Sequence, residues 1–144
     1  AEDIAYQKGL LINPQTLRKF FMHPLAGLAE AASPAGLQLF YHSDGNYGEL
    51  LSDLKALGFD GVHCIDRRSG MDLAYLQREY GGELCFWGTL DPGELAVKRD
   101  EEYLEQLRKQ VRSEASRSGY ILGTISGIFE GICLANLEEL YRRV

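Results

Sequence analysis

Cysteine is scarce in this 144-residue sequence, and its scarcity excludes a fold held together by disulfides. The three cysteines, Cys64, Cys85 and Cys133, are an odd number at wide spacing. A disulfide framework instead uses paired cysteines, usually in a short secreted chain. Unpaired thiols are typical of a reducing compartment, so the sequence predicts a cytoplasmic protein.

Long apolar runs are missing as well. No stretch approaches the roughly 20 apolar residues that a membrane-spanning helix needs, so no membrane partner is expected. The chain opens with Ala1-Glu2-Asp3, which lacks the basic start of a signal peptide. This polar start without a methionine indicates a piece of a longer or processed chain.

Basic residues are outnumbered by acidic ones. The chain has 15 lysines and arginines against 21 aspartates and glutamates, which gives a net charge of −6. Nucleic-acid binding needs a basic face for the phosphates. The charge balance therefore disfavours nucleic acid as the partner.

Short apolar segments alternate with amphipathic helical patterns along the whole chain. Strands are predicted at residues 37–42, 59–65, 83–89 and 120–124, and helices at 14–32, 49–57, 71–80, 100–116 and 135–143. Pro24 predicts a kink or break in the first helix, and Leu90 to Gly93 a turn. Strands that alternate with helices form a parallel sheet. The sequence predicts one α/β domain over residues 1–144, either a four-stranded open doubly wound sheet or half of a (β/α)8 barrel.

The first of these strands ends in a polar tip, His42-Ser43-Asp44-Gly45-Asn46. In parallel α/β proteins, chemistry takes place beyond the C-terminal ends of the strands. His42 and Asp44 are two residues apart, which on a strand places both on one side. Together they can share a proton, bind a metal or hold a polar substrate. The alternative is structural, with His42 bonded to its own loop and Asp44 capping the next helix.

Several motifs, in their order and spacing, resemble those of uroporphyrinogen decarboxylase-like proteins. They are Glu2-Asp3-Ile4-Ala5-Tyr6-Gln7-Lys8-Gly9 with Asn13-Pro14, His42-Ser43-Asp44-Gly45-Asn46, Gly61-Val62, Gly70-Met71-Asp72-Leu73, Gly88-Thr89-Leu90-Asp91-Pro92, Gly119-Tyr120-Ile121-Leu122, and the last loop and helix from Ser126 to Asn136. Each motif alone is a weak signal, and their order over the chain carries the resemblance.

The resemblance implies a fold and two alternative activities. The fold is a (β/α)8 barrel, which needs about 250 residues, so this chain would supply its C-terminal half, strands five to eight. One implied activity is decarboxylation of the acetate side chains of uroporphyrinogen, without a metal or organic cofactor. The other is methyl transfer between a corrinoid protein and a thiol, which uses zinc.

The zinc site implied by the methyltransferases is only partly present. They place a His and a Cys two apart at the fifth strand tip and a second Cys in the last loop, where this chain has His42, Asp44 and Ser126. Catalytic zinc takes three ligands from the protein, and both thiolates are missing. This set offers at most two good ligands, so we expect no metal site and no tightly bound zinc.

The decarboxylase pattern is also only partly matched. The decarboxylases carry a substrate-contacting Ser near the end of the fourth strand and a His in the last loop, where this chain has Asp3 and Ser126. Asp44-Gly45 matches the decarboxylase tip. The resemblance places the catalytic Asp and the substrate-binding Arg residues in the N-terminal half of the barrel, which this chain lacks.

The predicted catalytic residues are therefore His42 and Asp44, and the predicted substrate contacts are Asp3, Asp91 and Ser126. Asp91 lies at the seventh strand tip, where the alternative role is to start a turn.

Two residues at the sixth strand tip lie beside His42 in a barrel. His63 and Cys64 offer replacement metal ligands, but a packed imidazole and a small buried thiol are the favoured interpretation.

We therefore expect the C-terminal half of a decarboxylase for a tetrapyrrole or similar polycarboxylate, inactive by itself. The alternatives are a corrinoid-linked methyltransferase with an altered metal site and a non-catalytic half barrel. Half a barrel exposes two sheet edges and an inward face, predicted to include Phe40, Val62 and Phe86. We expect this face to pair, either in a homodimer or with the missing N-terminal half.

Overall fold

The structure, a computed structural model, describes residues 3–97 and 100–143. The strands are β1 (Ala5–Tyr6), β2 (Gly9–Leu10), β3 (Phe40–His42), β4 (Gly61–His63), β5 (Cys85–Trp87) and β6 (Tyr120–Ile121). The helices are α1 (Pro14–Ala32), α2 (Leu51–Ala56), α3 (Leu73–Tyr80), α4 (Pro92–Val97), α5 (Glu101–Ala115) and α6 (Leu134–Arg143). Within the described residues, no helix is long and apolar enough to cross a membrane.

A four-stranded parallel sheet forms the centre of the fold, in the order β3-β4-β5-β6. Each strand pairs with the next one along the chain. Right-handed crossovers that always step to the next strand place every connecting helix on the same face of the sheet. A doubly wound sheet would reverse direction and cover both faces. The α/β prediction is confirmed, and the strand order is consistent with part of a (β/α)8 barrel.

The face of the sheet that packs on the helices holds the main core. Tyr41, Val62 and Phe86 are register partners, and Val62 and Phe86 are fully buried. They cluster with apolar residues of α2 and α3, which are Leu51, Leu54, Leu73 and Leu76. The prediction that Val62 and Phe86 belong to the inward face is therefore wrong. Side chains alternate along a strand, so an error of one position exchanges the two faces.

The opposite, open face carries the next residues in register. Phe40 pairs with Gly61, and His42 pairs with His63, which pairs with Trp87. The Phe40 ring lies over Gly61, since a Cβ built on Gly61 would come within 2.3 Å of it. The same ring makes an edge contact with Trp87, at a centroid distance of 6.1 Å. The open face thus combines aromatic rings near its middle with histidines at its C-terminal end.

A small antiparallel hairpin, β1–β2, docks beside the end of β3. The Ile4 N–H donates to the Ser43 hydroxyl (3.2 Å), and the Asn46 N–H donates to the Tyr6 carbonyl (2.9 Å). Gly45, between them, adopts a left-handed φ of 81° and lies directly against the hairpin backbone. These contacts hold the first described residues next to the tip of β3.

Helix α1 begins as predicted, because the Asn13 side chain accepts from the Gln15 N–H and Pro14 occupies the first turn. The predicted break at Pro24 is wrong, since α1 runs through it to Ala32. Pro24 lies on an exposed part of the helix, so water can satisfy the Phe20 carbonyl that the proline leaves without a donor.

Only part of the apolar stripe of α1 is buried. Leu17 is fully buried, whereas Phe20, Phe21 and Leu28 are exposed. The periodicity correctly predicts a helix, but the described residues do not cover its whole apolar face.

The predicted turn at Leu90 to Gly93 contains the start of α4, a helix that the sequence analysis missed. The Asp91 carboxylate accepts from the Gly93 N–H (2.8 Å), and Pro92 occupies the first helical position. The same residues, an N-cap aspartate followed by proline, start helices as well as turns.

Candidate functional site

Three side chains with ligand or acid–base chemistry meet at the C-terminal end of β3. Asp3, His42 and Asp44 each offer one atom, and these atoms lie within 4.8 Å of one another. All three side chains are exposed to solvent. They lie at the end of the sheet where the sites of parallel α/β proteins are found.

The docked hairpin brings Asp3 to this group. The Asp3 carboxylate accepts from the Asp44 N–H at 2.8 Å, although the two residues are 41 positions apart in the chain. Ser43, which is fully buried, accepts from the Ile4 N–H and donates its hydroxyl to the Asp44 carbonyl (2.9 Å). These hydrogen bonds fix the backbone that carries Asp44.

His42 is hydrogen-bonded to a second histidine. The Nδ1 atoms of His42 and His63 are 2.8 Å apart, and the two rings are stacked with a centroid distance of 4.9 Å. His63 Nε2 lies 2.9 Å from the Thr124 carbonyl oxygen. Burial lowers the pKa of His63, and the bond to Thr124 opposes this shift. The sequence predicts that His63 lies beside His42 and favours packing as its role. The structure shows a hydrogen-bonded chain from β3 through β4 to Thr124, three residues beyond β6.

The other residue at the sixth strand tip, Cys64, has an unreactive thiol. Its side chain is buried, and burial, reinforced by the nearby Asp44 carboxylate, raises the pKa of the Cys64 thiol to about 12. At neutral pH it is a protonated thiol, which is a poor nucleophile and a poor metal ligand. The interpretation of Cys64 as a small buried thiol agrees with this environment.

Asp91 and Ser126 lie elsewhere on the rim. Asp91 caps α4 and pairs with Arg68 (2.8 Å), beside a cavity of about 340 Å³. Ser126 is exposed and lines a different cavity of about 460 Å³, which it shares with His63 and Trp87. The structure therefore brings Asp3 together with His42 and Asp44, places Ser126 on the His63 side, and engages Asp91 in helix capping.

The two arginines at this end of the sheet already form ion pairs with carboxylates. Arg67 forms an ion pair with Glu114, and Arg68 pairs with Asp91. Neither of these two ion pairs involves the carboxylate of Asp3 or of Asp44. A polycarboxylate ligand would therefore need additional positive charge from outside these pairs.

The donor set at the β3 tip differs from the set inferred from sequence. With Asp3 added to His42 and Asp44, the site has two carboxylates and one imidazole. Three protein ligands are the number that a catalytic zinc takes, but none of the three is a thiolate. The residues fit a divalent cation that accepts oxygen and nitrogen ligands, and they do not reproduce the sulfur-rich zinc of thiol methylation.

Comparison with known proteins adds the family. A family model described as Uroporphyrinogen decarboxylase (URO-D) matches residues 3–144. No curated protein matches the chain. The match covers every described residue, including the hairpin, the β3 tip and the last helix.

Proposed function

Because the chain belongs to the uroporphyrinogen decarboxylase family, we propose that it forms half of an active site that decarboxylates a tetrapyrrole or a similar polycarboxylate. The proposal rests on the exposed His42 imidazole at the strand tips, which is hydrogen-bonded to His63. The cleft would lie on the open face, which we take to be the inner wall of the C-terminal half of a (β/α)8 barrel.

In this reaction the bond between the acetate methylene carbon and its carboxyl carbon breaks, and CO2 leaves. The electron pair stays on the methylene carbon, which must then take up a proton. An imidazolium is suited to supply it near neutral pH, because the ordinary pKa of histidine is near 6.5. We assign this role to His42, whose imidazole lies beside the carboxylates of Asp44 and Asp3.

The described rim supplies little free positive charge to bind the carboxylates of the substrate. The resemblance assigns the substrate-binding arginines to the N-terminal half of the barrel, and Arg67 and Arg68 are already paired here. We therefore expect no turnover of uroporphyrinogen by the 144-residue chain alone. Product formation by this chain would contradict its assignment as half of a site.

Binding tests the proposal more directly, because Trp87 is the only tryptophan and its ring lies 5.0 Å from that of His63. We expect uroporphyrin, an oxidised analogue of the substrate, to quench Trp87 emission in a saturable manner. His42→Ala should weaken binding about tenfold, since a charge-assisted hydrogen bond contributes about 1.5 kcal/mol. His23→Ala, which removes an exposed histidine of α1, is the matched control. Absence of saturable quenching, or equal binding by both variants, would contradict the proposal.

Methyl transfer from a corrinoid protein is the second candidate function, and the Asp3, His42 and Asp44 group favours it. A divalent cation held there would act as a Lewis acid toward a substrate. In this alternative, one nitrogen of His42 and one oxygen of each carboxylate would hold the cation.

We expect no stoichiometric zinc in protein purified without chelators. Asp3 already accepts a hydrogen bond from the Asp44 backbone, and none of the three side chains is shielded from water. Elemental analysis of the wild type, His42→Ala and the control His23→Ala checks this. One equivalent of zinc that is lost only in His42→Ala would overturn the expectation and favour methyl transfer.

Cys64, Cys85 and Cys133 are free thiols in the structure, which fits a reducing compartment, and we propose the cytoplasm.

A non-catalytic half barrel would neither bind a tetrapyrrole nor hold a metal, so the two experiments above also address that alternative.

A further inference from the structure

Two adjacent parallel strands end in a histidine at the same register position. His42 ends β3, His63 ends β4, and the two residues are paired across the sheet. Their side chains lie on the open face and form a chain of two short contacts, from His42 Nδ1 to His63 Nδ1 (2.8 Å) and from His63 Nε2 to the Thr124 carbonyl oxygen (2.9 Å).

The directions of these two hydrogen bonds follow from the Thr124 carbonyl oxygen, which is the last acceptor. A carbonyl oxygen only accepts, so His63 Nε2 must carry the hydrogen. A neutral imidazole has one N–H, which leaves a lone pair on His63 Nδ1. His42 Nδ1 must then carry the hydrogen that it donates to His63. Neutral His42 is thereby left with its lone pair on Nε2.

We propose that His63 is a positioning residue that sets the tautomer of His42, so that His42 Nε2 is the atom that exchanges protons with the substrate. The assignment rests on the proposed function for the substrate, but the tautomer itself is a property of the free chain. His63 does not touch the substrate in this proposal; it acts through His42.

The surroundings of His63 hold its ring in the orientation that the proposal needs. The ring lies beside Trp87, and a Cβ built on Gly88 would come within 2.9 Å of its Cδ2 and Nε2 atoms. At the other end of the ring, the Thr124 carbonyl oxygen lies 2.9 Å from His63 Nε2. Glycine at position 88 thus allows the backbone to pack against the imidazole edge.

One chemical consequence is that the intact pair carries at most one positive charge. A second proton on His63 Nδ1 would place two N–H groups face to face and break the contact. The proton that makes the pair cationic therefore resides on His42 Nε2, which is the position from which a carbanion could take it.

Nuclear magnetic resonance of the uniformly 15N-labelled 144-residue chain tests the inference, through long-range 1H–15N correlations of the imidazoles at about pH 8.5, where histidine is neutral. An unconstrained neutral imidazole favours the Nε2–H form. We expect His63 in that form and His42 in the opposite Nδ1–H form. Exposed His23, in α1, is the internal reference and should show the unconstrained pattern.

Two variants separate positioning from packing. His63→Leu keeps a side chain of similar size but removes the acceptor, so His42 should return to the Nε2–H form while the backbone amide spectrum stays that of a folded protein. His63→Gln should restore the Nδ1–H form, because an amide can accept from His42 and donate to the Thr124 carbonyl. A role in packing alone would not change the tautomer of His42 in either variant.

The outcomes are decisive even where a variant does not fold. Wild-type His42 in the Nε2–H form would overturn the inference by itself, as would an unchanged His42 tautomer in folded His63→Leu. No substrate is present in these spectra. A locked tautomer combined with no uroporphyrin binding would leave the inference standing and reject the proposed function.

Discussion

Replacing Gly45 by alanine is expected to cost about 3–5 kcal/mol of unfolding free energy, a large share of the roughly 5–15 kcal/mol that stabilises a typical domain. Gly45 has a φ of 81°, which costs an alanine about 1–2 kcal/mol. Its added Cβ would also lie 2.6 Å from the Tyr6 nitrogen and 2.7 Å from the Ala5 carbonyl carbon. These are backbone atoms of β1, so a side-chain rotation cannot relieve the clash.

Two other glycines separate the cost of the left-handed φ from the cost of the steric clash. Gly36 has a φ of 66° but no atom within 4 Å of a built Cβ, so Gly36→Ala should cost only about 1 kcal/mol. Gly27 lies inside α1 with ordinary φ and open space, and Gly27→Ala should stabilise by about 0.5–1 kcal/mol. Urea unfolding of the three variants measures the differences. A Gly45→Ala cost no larger than that of Gly36→Ala would show that the hairpin does not pack as described.

The Gly45 substitution should also disturb the site. Relief of the clash requires the hairpin to move away from the β3 tip, and Asp3 is carried by that hairpin. We expect the Asp44 amide resonance to shift strongly in Gly45→Ala, because its acceptor is the Asp3 carboxylate.

The second large effect concerns assembly. We expect the 144-residue chain by itself to sediment as a homodimer, with the β3 and β6 edges at the contact. These are the two outer strands of the sheet, and the open face between them exposes Trp87 and Ile121 by 42% and 40%. Two sheets of four strands that meet about a two-fold axis supply the eight strands of a closed barrel. Closure would remove both edges and cover the aromatic face.

A charge on the open face should abolish this dimer. Ile121→Asp places a carboxylate at the β6 edge, and an unpaired charge in an interface costs several kcal/mol, so dimerisation should weaken by at least about a thousandfold. Tyr75→Asp, on the exposed surface of α3, is the control and should leave the dimer intact. Sedimentation equilibrium over a wide concentration range gives the masses. A wild type that is monomeric throughout and unfolds cooperatively would refute the pairing of half barrels.

The general plan of the fold was predictable because it depends on local patterns. The spacing of Leu50, Leu51 and Leu54 predicts the helical turns after β3, and the apolar segment ending at His42 predicts that strand. The position of His42 at a strand tip follows from the same patterns. The family resemblance, carried by motifs in sequence order, is confirmed by the match over residues 3–144.

What the sequence patterns did not indicate depends on distant parts of the chain. Which face Val62 and Phe86 occupy depends on register, and a shift of one residue reverses it. The proximity of Asp3 to Asp44 depends on a hairpin docking across 41 positions. The proposed role of His63 depends on its contact with the Thr124 carbonyl, 61 positions away, and no spacing in the sequence indicates that contact.

The docked hairpin described above has a consequence for how the site comes apart. Asp3 and the acceptors and donors that hold the β3 tip lie on a segment that adds only Ala5 to the buried core, with Ile4 and Leu10 packed against it, and that is otherwise held by a few hydrogen bonds. The core of the sheet is anchored by many more buried apolar side chains. Local opening of such a segment requires far less free energy than global unfolding. The fraction of molecules with an intact site is therefore set by this local equilibrium, and it can fall while the melting temperature of the protein stays unchanged.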